Sequence, residues 1–192
     1  VNSERIGFTD DTNIRGYYAF RIPWNNTVLS LGLEGGISLY SARYSELNAR
    51  DEAQRLQNNV HNAVLPNFGP GIYWTGSNFY IGASVPNLLE NYYDKDNKGI
   101  LANDGGKQVR SYFLSGGYVF SVSEHVKLEP QVLVRYAGNG VYQLPWNSDF
   151  NLSCILYDRL MVGATYRTDQ SIAGVVHVQA TRYIKIGYSY DY

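Results

Sequence analysis

Cysteine is almost missing from this chain. Its 192 residues include one Cys and one Met, which excludes an internal disulfide and any metal cluster built on cysteines. Charge is scarce as well: charged residues make up 17%, against the usual quarter. Neither sign dominates, since Lys plus Arg number 16 and Asp plus Glu 17, for a formal net charge of −1. That balance gives no electrostatic case for nucleic acid or for an anionic membrane surface. Mean hydropathy is −0.30, and no run approaches the roughly 18 apolar residues of a transmembrane helix. The opening Val1-Asn2-Ser3-Glu4 does not read as a secretory signal, so a mature or cut end is expected there. Heptads, long helical repeats and helix caps are missing too.

Aromatic residues and glycine are abundant. Tyr 18, Phe 7 and Trp 3 bring the aromatics to 15%, and there are 19 Gly. Two all-β classes fit this composition. One is a soluble sandwich or barrel. The other is an outer-membrane barrel, whose signal per strand is weak and escapes hydropathy plots.

Period-two alternation runs through most of the chain. Ile184, Ile186, Tyr188, Tyr190 and Tyr192 oppose Lys185, Gly187, Ser189 and Asp191. Ile172, Gly174, Val176 and Val178 oppose Ala173, Val175, His177 and Gln179, and Leu160, Val162, Ala164 and Tyr166 oppose Arg159, Met161, Gly163, Thr165 and Arg167. The same pattern holds over 29–39, 111–122, 126–136 and 143–153, with shorter candidates at 14–22, 67–75 and 78–86. This predicts about ten antiparallel strands of roughly nine to twelve residues, the length a tilted membrane strand needs and longer than the usual globular strand. Pro130 and Pro145 weaken two of them locally. Only residues 45–64 have helical spacing, with Leu47, Ala53, Leu56, Val60 and Ala63 along one face.

The connections are uneven. Short turns are expected at Pro23–Asn26, Thr75–Ser77, Ser123–His125, Leu156–Asp158 and Thr181–Tyr183. These are alternate connections, so an up-and-down sheet puts them on one edge. The two long polar loops, 41–66 and 87–109, fall on the other edge, as in outer-membrane barrels. Nine aromatics cluster at presumed strand ends: Tyr40, Tyr73, Trp74, Tyr112, Tyr136, Trp146, Tyr166, Tyr183 and Tyr192. Interface girdles are built from such residues. Periodicity alone does not say which face is inside.

If the polar face is the lumen, it carries a mixed-sign network of Glu34, Lys127, Glu129, Arg135, Asp149, Arg159, Arg167, His177, Lys185 and Asp191, with Arg15 and Arg21 beside it. Interspersed charges pair and fill a barrel, so a plugged or narrow lumen is expected instead of a porin. No catalytic site is expected: His177 lacks a positioned nucleophile, and no Gly-x-Ser-x-Gly elbow exists. No cofactor or metal is expected either. Asp94, Asp96, Asn97 and Gly99 resemble part of a calcium loop, but position twelve is Gly105 where Glu is needed. Gly105-Gly106-Lys107 lacks the flanking spacing of a phosphate loop. His61 and His125 are placed in a loop and a turn, and Cys154 in the apolar phase of its strand.

Several stretches carry a family resemblance. Pro66-Asn67-Phe68-Gly69-Pro70-Gly71-Ile72-Tyr73-Trp74, followed by Phe79-Tyr80-Ile81-Gly82-Ala83-Ser84-Val85-Pro86-Asn87-Leu88-Leu89, resembles the PorP/SprF family. So do Tyr112–Phe120, Leu128–Tyr136, Leu160–Arg167 and the closing Ile186–Tyr192, in family order. These are outer-membrane proteins of the Bacteroidota type IX secretion and gliding machinery. The resemblance implies a non-enzymatic barrel in the bacterial outer membrane. Its partners would be type IX components or a secreted surface protein such as an adhesin, with outer-membrane lipid around it; because rigid barrels present function on loops, binding is expected through loops 41–66 and 87–109. It also implies a longer chain, with further N-terminal strands and one more C-terminal strand pair. The alternative is a porin or small-molecule transporter.

Overall fold

The computed structural model describes residues 1–7, 9–43, 60–91, 108–138 and 145–192. Within them lies a single antiparallel sheet of twelve strands and no helix. In chain order these are β1 (Asn2–Ile6), β2 (Thr9–Trp24), β3 (Thr27–Ala42), β4 (Val60–Thr75), β5 (Phe79–Ser84), β6 (Arg110–Tyr118), β7 (Phe120–Ser121), β8 (Val126–Gly138), β9 (Asn147–Leu156), β10 (Leu160–Arg167), β11 (Ile172–Gln179) and β12 (Lys185–Asp191). Sequence neighbours are spatial neighbours throughout, and β7 continues β6 along β8. β1 and β12, the two ends of the order, are not paired with each other, so the sheet is open at that seam. The arrangement is consistent with an outer-membrane β-barrel.

Three expectations need correction. The strands number twelve, not about ten. β1 is too short and polar to alternate, and the expected strand at 111–122 breaks at Val119, whose amide donates to the Asn78 carbonyl (2.7 Å) instead of to β8. The helical reading of 45–64 fails at its end, and the loop 41–66 is shorter than expected. β3 and β4 stay paired up to Ala42 and Val60, so Val60 and Ala63 belong to a strand, as does His61; tertiary pairing overrides local spacing. The rest of that segment lies outside the described residues. Pro145 precedes β9 and removes no ladder bond. Pro130 lies in β8 across from the break at Val119, between Leu128, which pairs with Phe120, and Gln131, which pairs with Gly117. A proline is tolerated where the ladder is already interrupted.

Register assigns every side chain to a face. Glu34 lies opposite Gly69, Gly71 opposite Ser84, Gly82 opposite Ser115, Leu133 opposite Asp149, Asp149 opposite Arg167, and Ala173 opposite Asp191. The polar and small phase of each strand therefore forms one continuous face. The buried side chains lie on it: Ser38, Ala42, Leu65, Ser153 and Ala173. The opposite face is apolar and open. It includes Leu31, Leu33, Phe68, Ile72, Ile81, Leu114, Phe150, Leu152, Val162 and Val176, all exposed. A water-soluble sandwich buries its apolar face. Here the apolar face is outside and continuous across strands, larger than the patches water-soluble surfaces carry and consistent with a membrane barrel.

Both edges of that outer face carry aromatics. At one edge Tyr136 lies between Tyr112 (centroids 6.0 Å) and Trp146 (5.3 Å). At the other, Trp74 meets Phe79 edge-on at 5.1 Å and Tyr118 meets Phe120 at 4.5 Å. Tyr40 and Tyr73 depart from the expected girdle, since their phase is the inner one. The Tyr73 ring covers Gly82 of β5, and Tyr80 covers Gly117 of β6. The two rings are stacked at 5.8 Å. Each fills the space that a missing β-carbon leaves on the next strand.

Candidate functional site

The short turns do share one edge: 25–26, 76–78, 122–125, 157–159 and 180–184. The other edge carries the long connections between β3 and β4 and between β5 and β6, together with 139–146 and 168–171. Function on a rigid sheet is carried by its connections, so the inner face near the long-loop edge is the place to look.

There the expected charges converge. β8 ends, β9 begins, and β10 and β12 end at this edge, which brings Arg135, Asp149, Arg167 and Asp191 to one height. Arg135 Nη2 donates to both Asp149 carboxylate oxygens (2.9 and 3.0 Å). Arg167 Nε lies 4.0 Å from Asp149, and Arg167 Nη2 lies 3.6 Å from Asp191. One carboxylate is thus shared by two guanidiniums across three strands, with the fourth charge at the seam. Glu34 pairs separately with Arg15 (2.5 Å), and Lys127 pairs with Asp158 (2.5 Å) at the short-turn edge.

Glu129, Arg159, His177 and Lys185 form no ion pair among the described residues. His177 lies over Gly187 of β12, with no hydroxyl or carboxylate hydrogen-bonded to it among the described residues. The described residues also hold no cluster of His, Cys, Asp and Glu able to bind a metal ion. In the turn after β10, the Ser171 hydroxyl and amide both donate to Asp169 (2.7 and 3.1 Å), the hydroxyl most strongly, and hold its carboxyl below the usual range. The residues from Asp94 to Lys107 lie outside the described ones.

A second polar cluster escaped the sequence reading. After Ser84 the chain leaves regular pairing. The Val85 amide still donates to the Pro70 carbonyl (3.0 Å) and Leu88 to Phe68 (3.0 Å), but between them Pro86 swings over the inner face. A β-carbon on Gly69 would lie 2.5–2.6 Å from Val85 O and from Pro86 Cα and O, so only glycine leaves room for this crossing. Asn67, two residues away on the same face, holds the segment with both ends of its amide. Oδ1 accepts from the Leu89 amide (3.0 Å), while Nδ2 donates to the Leu89 carbonyl (2.9 Å) and to Gln108 Oε1 (3.2 Å). Asn91 Nδ2 donates to Gln108 Oε1 (3.0 Å) and to the Pro66 carbonyl (2.7 Å), and the Gln108 amide returns to the Asn91 carbonyl (2.7 Å). Arg110 Nε donates to the Leu88 carbonyl (3.1 Å). The sequence held one signal for this: a proline just after a strand, facing a glycine in the neighbouring one.

A family model described as type IX secretion system membrane protein PorP/SprF matches residues 1–192. No curated protein and no solved structure matches the chain. The apolar outer face, the up-and-down order and the uneven connections agree with that match, which spans every strand, and the chain belongs to the PorP/SprF family of type IX secretion system membrane proteins.

Proposed function

We propose that this protein is a non-enzymatic barrel of the bacterial outer membrane that anchors a partner of the type IX machinery, or helps export it, at its long-loop end. The partner is a secretion component or a secreted surface protein such as an adhesin. The observation that carries this reading is the asymmetry of the connections around a lipid-compatible outer face. One edge has only tight turns, and the other gathers the long polar loops and the shared Arg135–Asp149–Arg167 pairs. Further strands of a longer chain close the seam on this reading. The outer edge of β2 from Ile14 to Trp24 has no neighbour among the described residues, because β1 pairs only with Thr9–Asn13. An unpaired strand edge of that length is not left open in a membrane.

Replacing residues 44–59 by a Gly/Ser linker should leave barrel insertion intact, because both flanking strands lie outside the exchange, and should abolish surface display of the partner. Surface labelling in whole cells checks this, and unchanged display refutes the loop as docking site. A diffusion pore is the competing function. Paired charges of both signs on the inner face argue against it, and planar-bilayer recordings should show no large, stable conductance.

A further inference from the structure

We propose that Asn67 is the positioning residue of the second long loop: it clamps Val85–Asn91 against the inner face of β4 and closes the neck of the loop at Asn91 and Gln108. The inference rests on the docking role of the loops proposed above and names what holds one of them. A loop free at the rim needs no anchor inside the wall. Here the path inward is built into β4, into the chain just after β5 and into the chain just ahead of β6. Gly69 in β4 leaves room for Pro86, and Pro86 has no amide to lose from the ladder. Asn67 pairs with both backbone polar groups of Leu89, as a neighbouring strand would. Gln108, just ahead of β6, is reached by Asn67 and Asn91 together. The neck is therefore fixed to the inner face whatever the intervening residues do, and a partner that engages the loop docks over the mouth of the barrel and not beside it.

The geometry separates Asn67 from a residue that merely fills space. Asparagine offers an acceptor and a donor at this reach; aspartate keeps the acceptor for the Leu89 amide and loses both donated bonds. Hydrogen exchange on the full chain in lipid nanodiscs reads this directly. In Asn67→Ala, the amides of 85–91 and of Gln108 should exchange at least about tenfold faster than in the wild type, while those of β3 and β4 stay protected. Asn67→Asp should fall between. Equal exchange of 85–91 in Asn67→Ala and wild type overturns the clamp. If Asn67→Ala fails to insert, Gln108→Ala, outside any strand, tests the same neck and should free the same amides; unchanged exchange there overturns it equally. Partner display is scored in the same strains. Faster exchange with unchanged display leaves the clamp standing and removes the docking role, so the two readings fail separately.

Discussion

Leu152→Arg should destabilise the protein in lipid by about 2–4 kcal/mol, while Gln131→Arg, one position away in height but on the other face, should stay within about 0.5 kcal/mol. Leu152 sits midway along β9 opposite Pro130 and Ala164, and its side chain is 55% exposed. In a protein surrounded by water, arginine at so open a position would be nearly neutral. In hydrocarbon the guanidinium loses its hydration with no partner in reach, since its neighbours on that face are Phe150, Cys154, Val132 and Val162. Gln131 faces inward opposite Asn151, whose amide donates to Thr165 (2.7 Å), in a polar row that accepts a longer donor. Folding into vesicles under a urea gradient, followed by the gel mobility of the folded barrel, measures both. A penalty for Leu152→Arg as small as that for Gln131→Arg would place the apolar face in water and remove the membrane assignment.

That test targets what alternation alone leaves open. The two phases of a strand such as Leu160–Arg167 are legible in sequence, because side chains alternate strictly across a pleat. Which phase turns inward is not, because a sandwich and a barrel write the same pattern with opposite meaning. The burial of Ser38 and Ser153 beside exposed Leu33 and Leu152 decides it. Elements without alternation were out of reach. β1 has only five residues, and its pairing with β2 rests on a turn and on contacts such as Arg5 with Asp10. The first residues of β4 look helical, since Val60 and Ala63 are three apart. The ends of the ion pairs were visible as polar residues, but their grouping was not. Arg135, Asp149 and Arg167 are brought together by register, whereas Glu129, Arg159, His177 and Lys185, equally polar in sequence, gain no ionic partner among the described residues. The neck at Asn67 was hidden for another reason: its partners are mostly backbone groups, which no residue pattern records.

Asp149→Asn should cost about 1–3 kcal/mol, and Asp158→Asn less than about 1 kcal/mol. The two carboxylates make the same kind of contact in different surroundings. Asp149 is 17% exposed and serves two guanidiniums on adjacent strands, with one Arg135 nitrogen bonded to both of its oxygens. The amide keeps the shape but removes the charge, leaving Arg135 and Arg167 partly enclosed with little between them to offset two like charges. Removing one member of such a group costs more than its bonds, because the remaining cations have no water in full reach. Asp158 lies in a turn, 67% exposed, and pairs only with Lys127; solvent screens that pair and replaces it when it is lost. The contrast also has a salt signature. Raising ionic strength should erase the small Asp158 effect and leave most of the Asp149 effect, because screening acts on exposed charges first. Restoring balance with Asp149→Asn and Arg135→Gln together should recover part of the stability, since the double change removes a cation along with the anion it needed. If Asp149→Asn costs no more than Asp158→Asn in the same membrane, the shared carboxylate is solvated like any surface pair and the long-loop end of the inner face is open to water.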